Sequence, residues 1–279
     1  KGKRVTTMIT SRGCPGRCIF CKLNFQKTLS RSAGSVVEEF RRIRELGIHE
    51  VEVYDDTFTW SKKRVRAICE ALIRDKSPVE WAIRDRVDRA DPELLRLMRQ
   101  AGCTRVHYGI ESGVDRILKT MGKNTTVAQA RDAVGWAKQT GMTVLTYFMF
   151  GNWGETLDDM QRTLDFALTL DADYAEFSIT LPYPGTSLYQ MALDAGLIPY
   201  DYWQTYARRP EPDFRVPKVI EQHASLSDLI AIRDKAVQRF YFRPKYVLRQ
   251  LLRTRRPGVL LRKARMGWQL LQSVYRRAG

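Results

Sequence analysis

Apolar runs rich in β-branched and aromatic residues alternate along this chain with amphipathic stretches of helical period. Such alternation is typical of βαβ units, in which helices join parallel strands. Six runs have the length and composition of strands, and we predict strands over residues 5–10, 49–54, 80–83, 105–109, 143–150 and 174–180.

Capping residues and glycines mark the ends of the predicted helices. Ser35 is the expected N-cap of a helix that runs to about Leu46, and Asp91-Pro92 opens a helix that ends near Gly102. Further helices are predicted over 62–75, 127–140 and 157–170. Six β/α units in residues 1–186 predict an α/β fold, an open partial (β/α)6 TIM-like barrel. Ligands of such barrels bind at the carboxyl ends of the strands.

Two further segments are predicted after the barrel. Residues 187–225 are expected to be a loop that covers the barrel mouth, because proline and aromatic residues dominate this part of the chain. Residues 226–279 are expected to be a basic helical extension with helices over 227–242, 244–254 and 258–277. Four aromatic residues are candidates for lining an apolar substrate pocket, the alternative being ordinary loop packing: Tyr183, Tyr200, Tyr202 and Trp203.

The composition is that of a globular chain, with 279 residues, 44% apolar content and no apolar run long enough to cross a bilayer. Neither a secretory leader nor a disulfide framework is visible, so we expect a cytoplasmic location. A peripheral place at the inner face of the membrane is the variant of this expectation that the basic tail suggests. Because the chain begins at Lys1, we expect it to be a fragment or a processed product that lacks an upstream segment.

Three cysteines, Cys14, Cys18 and Cys21, lie within eight residues of one another. Three thiolates leave one iron of a cubane [4Fe–4S] cluster without a protein ligand, and a small molecule can chelate that iron. A structural zinc site would need a fourth ligand. The other two cysteines and the three histidines have no suitable spacing relative to this group.

The spacing CxxxCxxC, with Phe20 directly before the third cysteine, resembles the radical S-adenosylmethionine (radical SAM) superfamily. The resemblance implies that Cys14, Cys18 and Cys21 bind a [4Fe–4S] cluster and that Phe20 contacts the cofactor. The open iron would bind the amino and carboxylate groups of S-adenosylmethionine. An electron from an external flavodoxin- or ferredoxin-like donor would then cleave the sulfonium to a 5′-deoxyadenosyl radical.

Motifs of that superfamily follow in order at the predicted strand ends. Asp55 and Asp56 stand where relatives hold the amino group of S-adenosylmethionine, the alternative being a solvated turn. Arg84 could pair with the carboxylate of the cofactor or lie on the surface. The run 109–113 reads GIESG, which implies that Glu111 and Ser112 lie near the ribose or methionine part. A structural Glu111 would instead need a cation or amide donors.

Two later runs extend the resemblance. Residues 151–156 resemble a Gly-x-Pro-Gly-Glu-Thr run with Trp153 in place of the proline, so Gly151 is expected near the cofactor. The same run also reads as an ordinary helix start. Pro184 belongs to a Pro-x-Pro-Gly-Thr run over 182–186, which is expected on the adenine side.

Within the superfamily the chain resembles the cobalamin-binding class, which includes methylases and the anaerobic cyclase of chlorophyll synthesis. The runs over 10–15, 55–58, 109–113 and 240–246 carry this resemblance. It implies C-methylation or oxidative cyclisation of a lipophilic, terpenoid- or tetrapyrrole-like small molecule. Cobalamin would come from an N-terminal domain that this chain lacks, and a stand-alone enzyme without cobalamin is the alternative. No catalytic acid–base pair is required, and none is predicted.

The net charge of +16 is concentrated at the carboxyl end, because residues 239–279 hold 12 Lys or Arg and no Asp or Glu. A basic amphipathic tail can bind an anionic membrane surface, bind RNA phosphates or dock against a missing domain. The cysteines of a second cluster, which RNA-modifying methylthiotransferase relatives carry, are absent and disfavour RNA. The remaining alternatives are an RNA-modifying radical SAM enzyme and a non-catalytic metal-binding module with a nucleic-acid-binding tail.

Overall fold

The computed structural model describes residues 4–22, 27–76, 79–211 and 219–253, together with single positions further along the tail. Eight strands lie in this part of the chain: β1 (Val5–Met8), β2 (Ser11–Arg12), β3 (Leu29–Ser30), β4 (Glu50–Val53), β5 (Glu80–Arg86), β6 (Cys103–Glu111), β7 (Thr143–Phe150) and β8 (Tyr174–Ile179). Six of them form a parallel sheet in the order β1-β4-β5-β6-β7-β8, and β2 pairs antiparallel with β3.

Helices join successive strands of the large sheet. In chain order the helices of the described residues are α1 (Ala33–Glu45), α2 (Lys62–Arg74), α3 (Pro92–Gln100), α4 (Asp115–Thr120), α5 (Val127–Gln139), α6 (Leu157–Thr169), α7 (Ser187–Asp194), α8 (Tyr202–Arg208), α9 (Leu226–Tyr241) and α10 (Pro244–Arg253). Each strand therefore pairs with the next one along the chain, and the sheet is open within the described residues because β1 and β8 do not pair. The predicted α/β partial barrel is confirmed.

The two faces of the sheet differ in polarity. Val51 and Val53 of β4 are buried in the core beneath the helices, whereas Glu50 and Glu52 alternate with them on the opposite side. The strand register places further polar residues of β5, β6 and β7 on the same side as these two glutamates. We call this side the concave face, and its polar members are Glu50, Glu52, Arg84, Arg105, His107 and Tyr147. The barrel core is therefore held together mainly by the outer, apolar face of the sheet.

Several helix boundaries follow local capping chemistry. Asp91 accepts a hydrogen bond from Leu94 N at 2.9 Å and Pro92 occupies the first turn, as predicted for α3. The prediction that Ser35 caps α1 was wrong. Ser32 has extended backbone angles and accepts from Ser35 N at 3.2 Å, so the helix begins three residues earlier, at Ala33.

The prediction of a loop over 187–225 was also wrong in part, because α7 and α8 lie in that segment. The prolines that suggested a loop, Pro184, Pro199 and Pro210, fall outside the two helices. Short α4 and the β2–β3 pair were not predicted. Prolines 212 and 217 lie outside the described residues.

The carboxyl-terminal helices pack on the last strand. α9 buries Leu229, Ile232, Ala236 and Phe240 in the same core as the barrel, and the Phe240 ring meets the Phe177 ring edge-on at 6.0 Å. Most of the helix predicted over 258–277 lies outside the described residues. Among the residues that are described, no helix is long and apolar enough to cross a membrane.

Two glycines with contrasting surroundings give a test of this packing. A Cβ at Gly113 would lie 2.7 Å from Phe166 Cβ and 2.8 Å from Thr163 Cα, whereas a Cβ at Gly135 in α5 would have nothing within 4 Å. We expect Gly113→Ala to lower the free energy of unfolding by about 1–3 kcal/mol through overpacking against α6. Gly135→Ala should raise it by about 0.5–1 kcal/mol through helix propensity. Urea unfolding measures both, and equal effects at the two sites would contradict the described packing.

Candidate active site

Two aspartates after β4 tie down the start of the cysteine loop, which we define as residues 13–22. The buried carboxylate of Asp55 accepts hydrogen bonds from Thr10 N at 2.6 Å, Thr10 Oγ1 at 2.5 Å and Ser11 Oγ at 2.6 Å. Asp56 Oδ2 accepts from Gly13 N at 2.7 Å. Both predicted residues therefore lie at the root of the cysteine loop. Both oxygens of Asp55 are engaged within the chain, which leaves Asp56 and the backbone carbonyls of this turn closer to the role predicted for the pair.

Backbone hydrogen bonds hold the middle of the cysteine loop between two helices. Ile19 N donates to Met121 O at the end of α4, and Leu188 N at the start of α7 donates to Ile19 O, both at 2.9 Å. The Phe20 ring packs against the apolar clusters formed by these same helices. Its predicted contact with the cofactor stays a prediction, but its position fixes the direction of the loop between Cys18 and Cys21.

The three loop cysteines are free thiols at the surface of the site, with Cys21 exposed and the other two partly buried. Cys14 Sγ accepts from Gly16 N at 3.3 Å and lies 3.0 Å from Thr57 Oγ1. Burial raises the pKa of the Cys18 thiol, and burial with the neighbouring Cys18 and Cys14 raises the pKa of Cys21 to about 11. As free thiols both are therefore protonated at neutral pH, and binding a metal would require them to release their protons.

The geometry bears on which metal these thiols suit. Within the described ranges, no three His, Cys, Asp or Glu side chains are arranged to bind one metal ion. A zinc ion needs its donors to converge within about 2.0–2.3 Å of a single point. A cubane instead takes one thiolate on each of three irons, so its ligands do not converge. The three-thiol loop fits a cluster better than it fits a mononuclear ion.

An arginine that was not predicted lies against the cysteine loop. Arg86 Nη1 is 3.9 Å from Cys18 Sγ, and a Cβ on Gly16 would lie 2.8 Å from the same nitrogen. Asp88 accepts two hydrogen bonds from Arg86, at 2.9 and 3.1 Å, and Lys123 O accepts a third at 2.6 Å. The signal that could have revealed it is its place two residues after Arg84, on the same face of a strand that the sequence analysis ended at residue 83.

Glu111 pairs with a buried lysine at the end of β6. Lys123 Nζ donates to Glu111 Oε1 at 2.9 Å, and both residues are buried. Glu111 has a positive φ of 73°, and a Cβ on Gly109 would lie 2.5 Å from its Oε1. Lys123 is the cation that a structural Glu111 requires. Contact with the cofactor stays a prediction, and Glu111 also acts electrostatically on Cys18, which places it beside the loop.

Other predicted site residues have mainly structural contacts. The buried hydroxyl of Ser112 lies 3.1 Å from Thr163 Oγ1 of α6. Gly151 has φ 79°, and a Cβ there would lie 3.0 Å from Leu229 of α9. Pro184 is exposed in a turn whose Gly185 lies near Lys22 of the cysteine loop, with a Cβ–Cε distance of 3.3 Å. Of these three, Pro184 alone has a neighbour in direct reach of the loop.

Arg84 lies on the concave face rather than at the cysteine loop. Its guanidinium carbon is 3.7 Å from the centre of the Tyr54 ring, and Nη1 is 3.8 Å from Glu52 Oε2. Of the four aromatics considered for a substrate pocket, Tyr183 and Tyr200 are exposed, whereas Tyr202 and Trp203 pack on the small apolar cluster around α7.

Three comparisons with known proteins agree with this geometry. The chain matches the model of the Radical SAM superfamily over residues 8–167. It is 34% identical to an uncharacterized methyltransferase of Pyrococcus horikoshii, over 96% of this chain and 57% of that protein. It is 30% identical to the anaerobic magnesium-protoporphyrin IX monomethyl ester cyclase of Cereibacter sphaeroides, over 69% of this chain and 33% of the cyclase.

A solved structure has the same fold. The radical S-adenosylmethionine methyltransferase TsrM from Kitasatospora setae, with cobalamin and a [4Fe–4S] cluster bound, superposes with a TM-score of 0.64 and 21% identity. The match covers 70% of this chain and 40% of TsrM. The chain thus spans at most 57% of these proteins' lengths.

The chain belongs to the radical SAM superfamily, since the family model covers more than half of it. It is therefore an enzyme whose cofactors are a [4Fe–4S] cluster and S-adenosylmethionine. The residues fit the cluster: three thiols on one loop, a glycine that leaves room between Cys14 and Arg86, and no fourth side-chain ligand among the described residues.

A buried carboxylic acid supports the loop after β7. Glu155 Oε2 accepts from Asn152 N at 2.9 Å and from Asn152 Nδ2 at 3.0 Å, and Thr180 Oγ1 donates to Asn152 Oδ1 at 2.8 Å. Burial raises the pKa of Glu155 to about 7, against the opposing effect of these hydrogen bonds.

The raised pKa of Glu155 predicts a pH-dependent stability. Between pH 4.5 and about 7 the folded chain keeps a proton that the unfolded chain has released, so stability falls as pH rises through this window. The group's contribution is complete below pH 4.5 and is lost above about 7, a change on the order of 3 kcal/mol. Glu155→Gln should remove this fall, as urea unfolding at pH 5 and pH 8 would measure. The exposed control Glu45→Gln should keep it, and parallel curves for the wild type and Glu155→Gln would refute the buried acid.

Proposed function

We propose that this chain is the radical SAM part of an enzyme that methylates carbon or oxidatively cyclises a small-molecule substrate, with cobalamin bound by a domain outside the chain. The single observation that carries the proposal is the three-cysteine loop at the carboxyl ends of a partial barrel. Support for the reaction comes from the printed names of relatives, a methyltransferase and a cyclase. Support for cobalamin comes from its presence in the TsrM structure.

Residues of this chain would have distinct duties in that reaction. Cys14, Cys18 and Cys21 would hold the cluster, which when bound passes an electron that cleaves S-adenosylmethionine to methionine and a 5′-deoxyadenosyl radical. Asp56 and the carbonyls of its turn would accept from the ammonium of S-adenosylmethionine. Arg86, already fixed by Asp88, would supply positive charge beside the thiolates.

The remaining predicted contacts would surround the nucleoside and methionine parts. Glu111 and Ser112 would approach them from β6, Phe20 and Pro184 from the loops, and Gly151 from the end of β7. No acid–base pair is needed, since the chain would orient substrate and exclude water. A flavodoxin- or ferredoxin-like protein would supply the electron.

Metal content and cofactor cleavage test this function directly. Anaerobically reconstituted protein should hold about four irons per chain and release 5′-deoxyadenosine when S-adenosylmethionine and dithionite are added. Cys18→Ala should abolish the release because the cluster loses one of its three ligands. Cys69→Ala, which removes a buried thiol of the core, should retain it. Zinc in place of iron, or undiminished release by Cys18→Ala, would overturn the proposal.

We further propose that the extension, residues 226–279, contacts an anionic membrane surface from which a lipophilic substrate is drawn. Helix α10 turns Tyr246 and Arg249 toward the body of the protein, where Arg249 binds Asp171 at 3.0 Å. Its other face exposes Val247, Leu248, Leu251 and Leu252, with exposed fractions of 40 to 74%. An outward apolar stripe beside 12 basic and no acidic residues complements an anionic bilayer.

Flotation with lipid vesicles tests the membrane contact. The wild type should float with vesicles that contain phosphatidylglycerol and should not float with phosphatidylcholine alone. Leu248→Glu with Leu252→Glu should reduce the bound fraction at least about tenfold, since two buried side chains are worth well over 1.4 kcal/mol. The exposed control Leu226→Glu, at the start of α9, should float like the wild type. Equal flotation of all variants would exclude α10 as the contact and favour docking against another domain.

A further inference from the structure

The concave face carries a hydrogen-bonded line of side chains that the proposed cofactor chemistry does not use. At its lower end Arg105 Nη2 pairs with Glu50 Oε1 at 3.0 Å and with Glu52 Oε1. Arg105 Nε donates to His107 Nε2 at 3.1 Å, and His107 Nδ1 lies 2.9 Å from Tyr147 Oη. The line therefore runs across β4, β6 and β7 and ends at a phenol inside the barrel.

The direction of the protons along this line follows from the arginine. A guanidinium is always protonated and only donates, so His107 Nε2 must accept. The neutral ring then carries its hydrogen on Nδ1 and donates to Tyr147 Oη. Burial, with the charges of Arg84 and Arg105, lowers the pKa of His107 to about 4, so the ring stays neutral at physiological pH. Tyr147 accepts from His107, and its own hydroxyl hydrogen remains to donate to another group.

Arg84 places an underused cation next to that phenol. Within the described part of the chain its buried Nη1 has no hydrogen-bond partner, and the nearest carboxylate oxygen, Glu52 Oε2, is 3.8 Å away. The guanidinium lies flat on the Tyr54 ring, which leaves its in-plane donors directed into the barrel. Its charge also acts on Tyr147, so the two groups are neighbours. A cation and a phenol hydrogen side by side match an oxygen anion.

We propose that Arg84 and Tyr147 bind an anionic oxygen group of the substrate, a carboxylate or a phosphate. This deepens the proposed function and rests on it, because it assigns the polar end of that enzyme's substrate. Glu50, Glu52, Arg105 and His107 act as positioning residues that orient the Tyr147 hydroxyl.

The distance along β5 fits this assignment. Arg84 and Arg86 are two residues apart on the same face of the strand, about 6.6 Å along its axis. Arg86 lies against the cysteine loop, so the anion would be held one layer below the place where the radical is made. A small molecule anchored there would present a carbon a few bonds away toward the cofactor. An apolar remainder, as proposed for a lipophilic substrate, would extend toward the open side of the barrel.

Tyrosine-selective NMR of the cluster-loaded full chain tests the assignment without knowledge of the substrate. Protein labelled with ¹³Cζ-tyrosine is titrated separately with sodium acetate, inorganic phosphate and S-adenosylmethionine, and the Tyr147 signal is identified by its loss in Tyr147→Phe. We expect acetate or phosphate to shift this signal, and the one with the lower dissociation constant names the anion. Arg84→Gln should raise that constant about tenfold or more. Arg42→Gln, which removes a surface charge on α1, should leave it unchanged.

The outcomes separate the proposal from its alternatives. No shift of Tyr147 with either anion, or equal weakening by Arg84→Gln and Arg42→Gln, would overturn it as mere attraction to a basic protein. A shift caused by S-adenosylmethionine alone would also overturn it and return Arg84 to the carboxylate of the cofactor. An unmoved Tyr147 signal in ligand-free Arg84→Gln confirms that the variant keeps the site intact. Because release of 5′-deoxyadenosine is measured separately, loss of the proposed function and loss of this anion site remain distinguishable.

Discussion

The buried carboxylate of Asp55 is the constraint on which the site depends. A carboxylate in the core would be costly unless donors surround it, and here Thr10 and Ser11 supply three hydrogen bonds at the point where β1 ends. This interaction joins the first two strands of the parallel sheet at their carboxyl ends and fixes where the chain departs. With Asp56 holding Gly13 N, the cysteine loop can only cross above the barrel. The same pair of residues thus serves the fold and the site at once.

The polarity of the concave face is the second determinant of function. Strands of parallel sheets are commonly apolar on both faces because helices or packed side chains cover them. This sheet keeps its apolar residues for the helices and places two glutamates, two arginines, a histidine and a tyrosine inside. Such a face gives little hydrophobic stabilisation, so its residues are better explained by a polar ligand than by folding. An enzyme that moves a radical among carbon atoms still needs polar anchors to hold those atoms in place.

Much of the barrel could be predicted from the sequence, because strand and helix periods are local and glycines and caps mark their ends. The cysteine loop was also predictable, since its three ligands lie within eight residues. Contacts between distant positions were not. Arg86 meets Cys18 across 68 positions and Lys123 O across 37, and the line from Arg105 to Glu50 spans 55. Helices α7 and α8 were missed because prolines and aromatics also occur between short helices, where tertiary packing rather than local pattern decides.

Charge pairing around the cysteine loop explains how the site can exist before its cofactors arrive. Arg86 is held by Asp88 and Lys123 by Glu111, so neither cation is buried without a partner. Each pair keeps its geometry while the thiols are protonated, which burial favours for Cys18 and Cys21. When thiolates form on a metal, the nearby cations are already in place and need no rearrangement. Arg84 is different, because its nearest carboxylate stands off at 3.8 Å. A loosely paired cation beside tightly paired ones is the arrangement expected where the missing partner is a substrate.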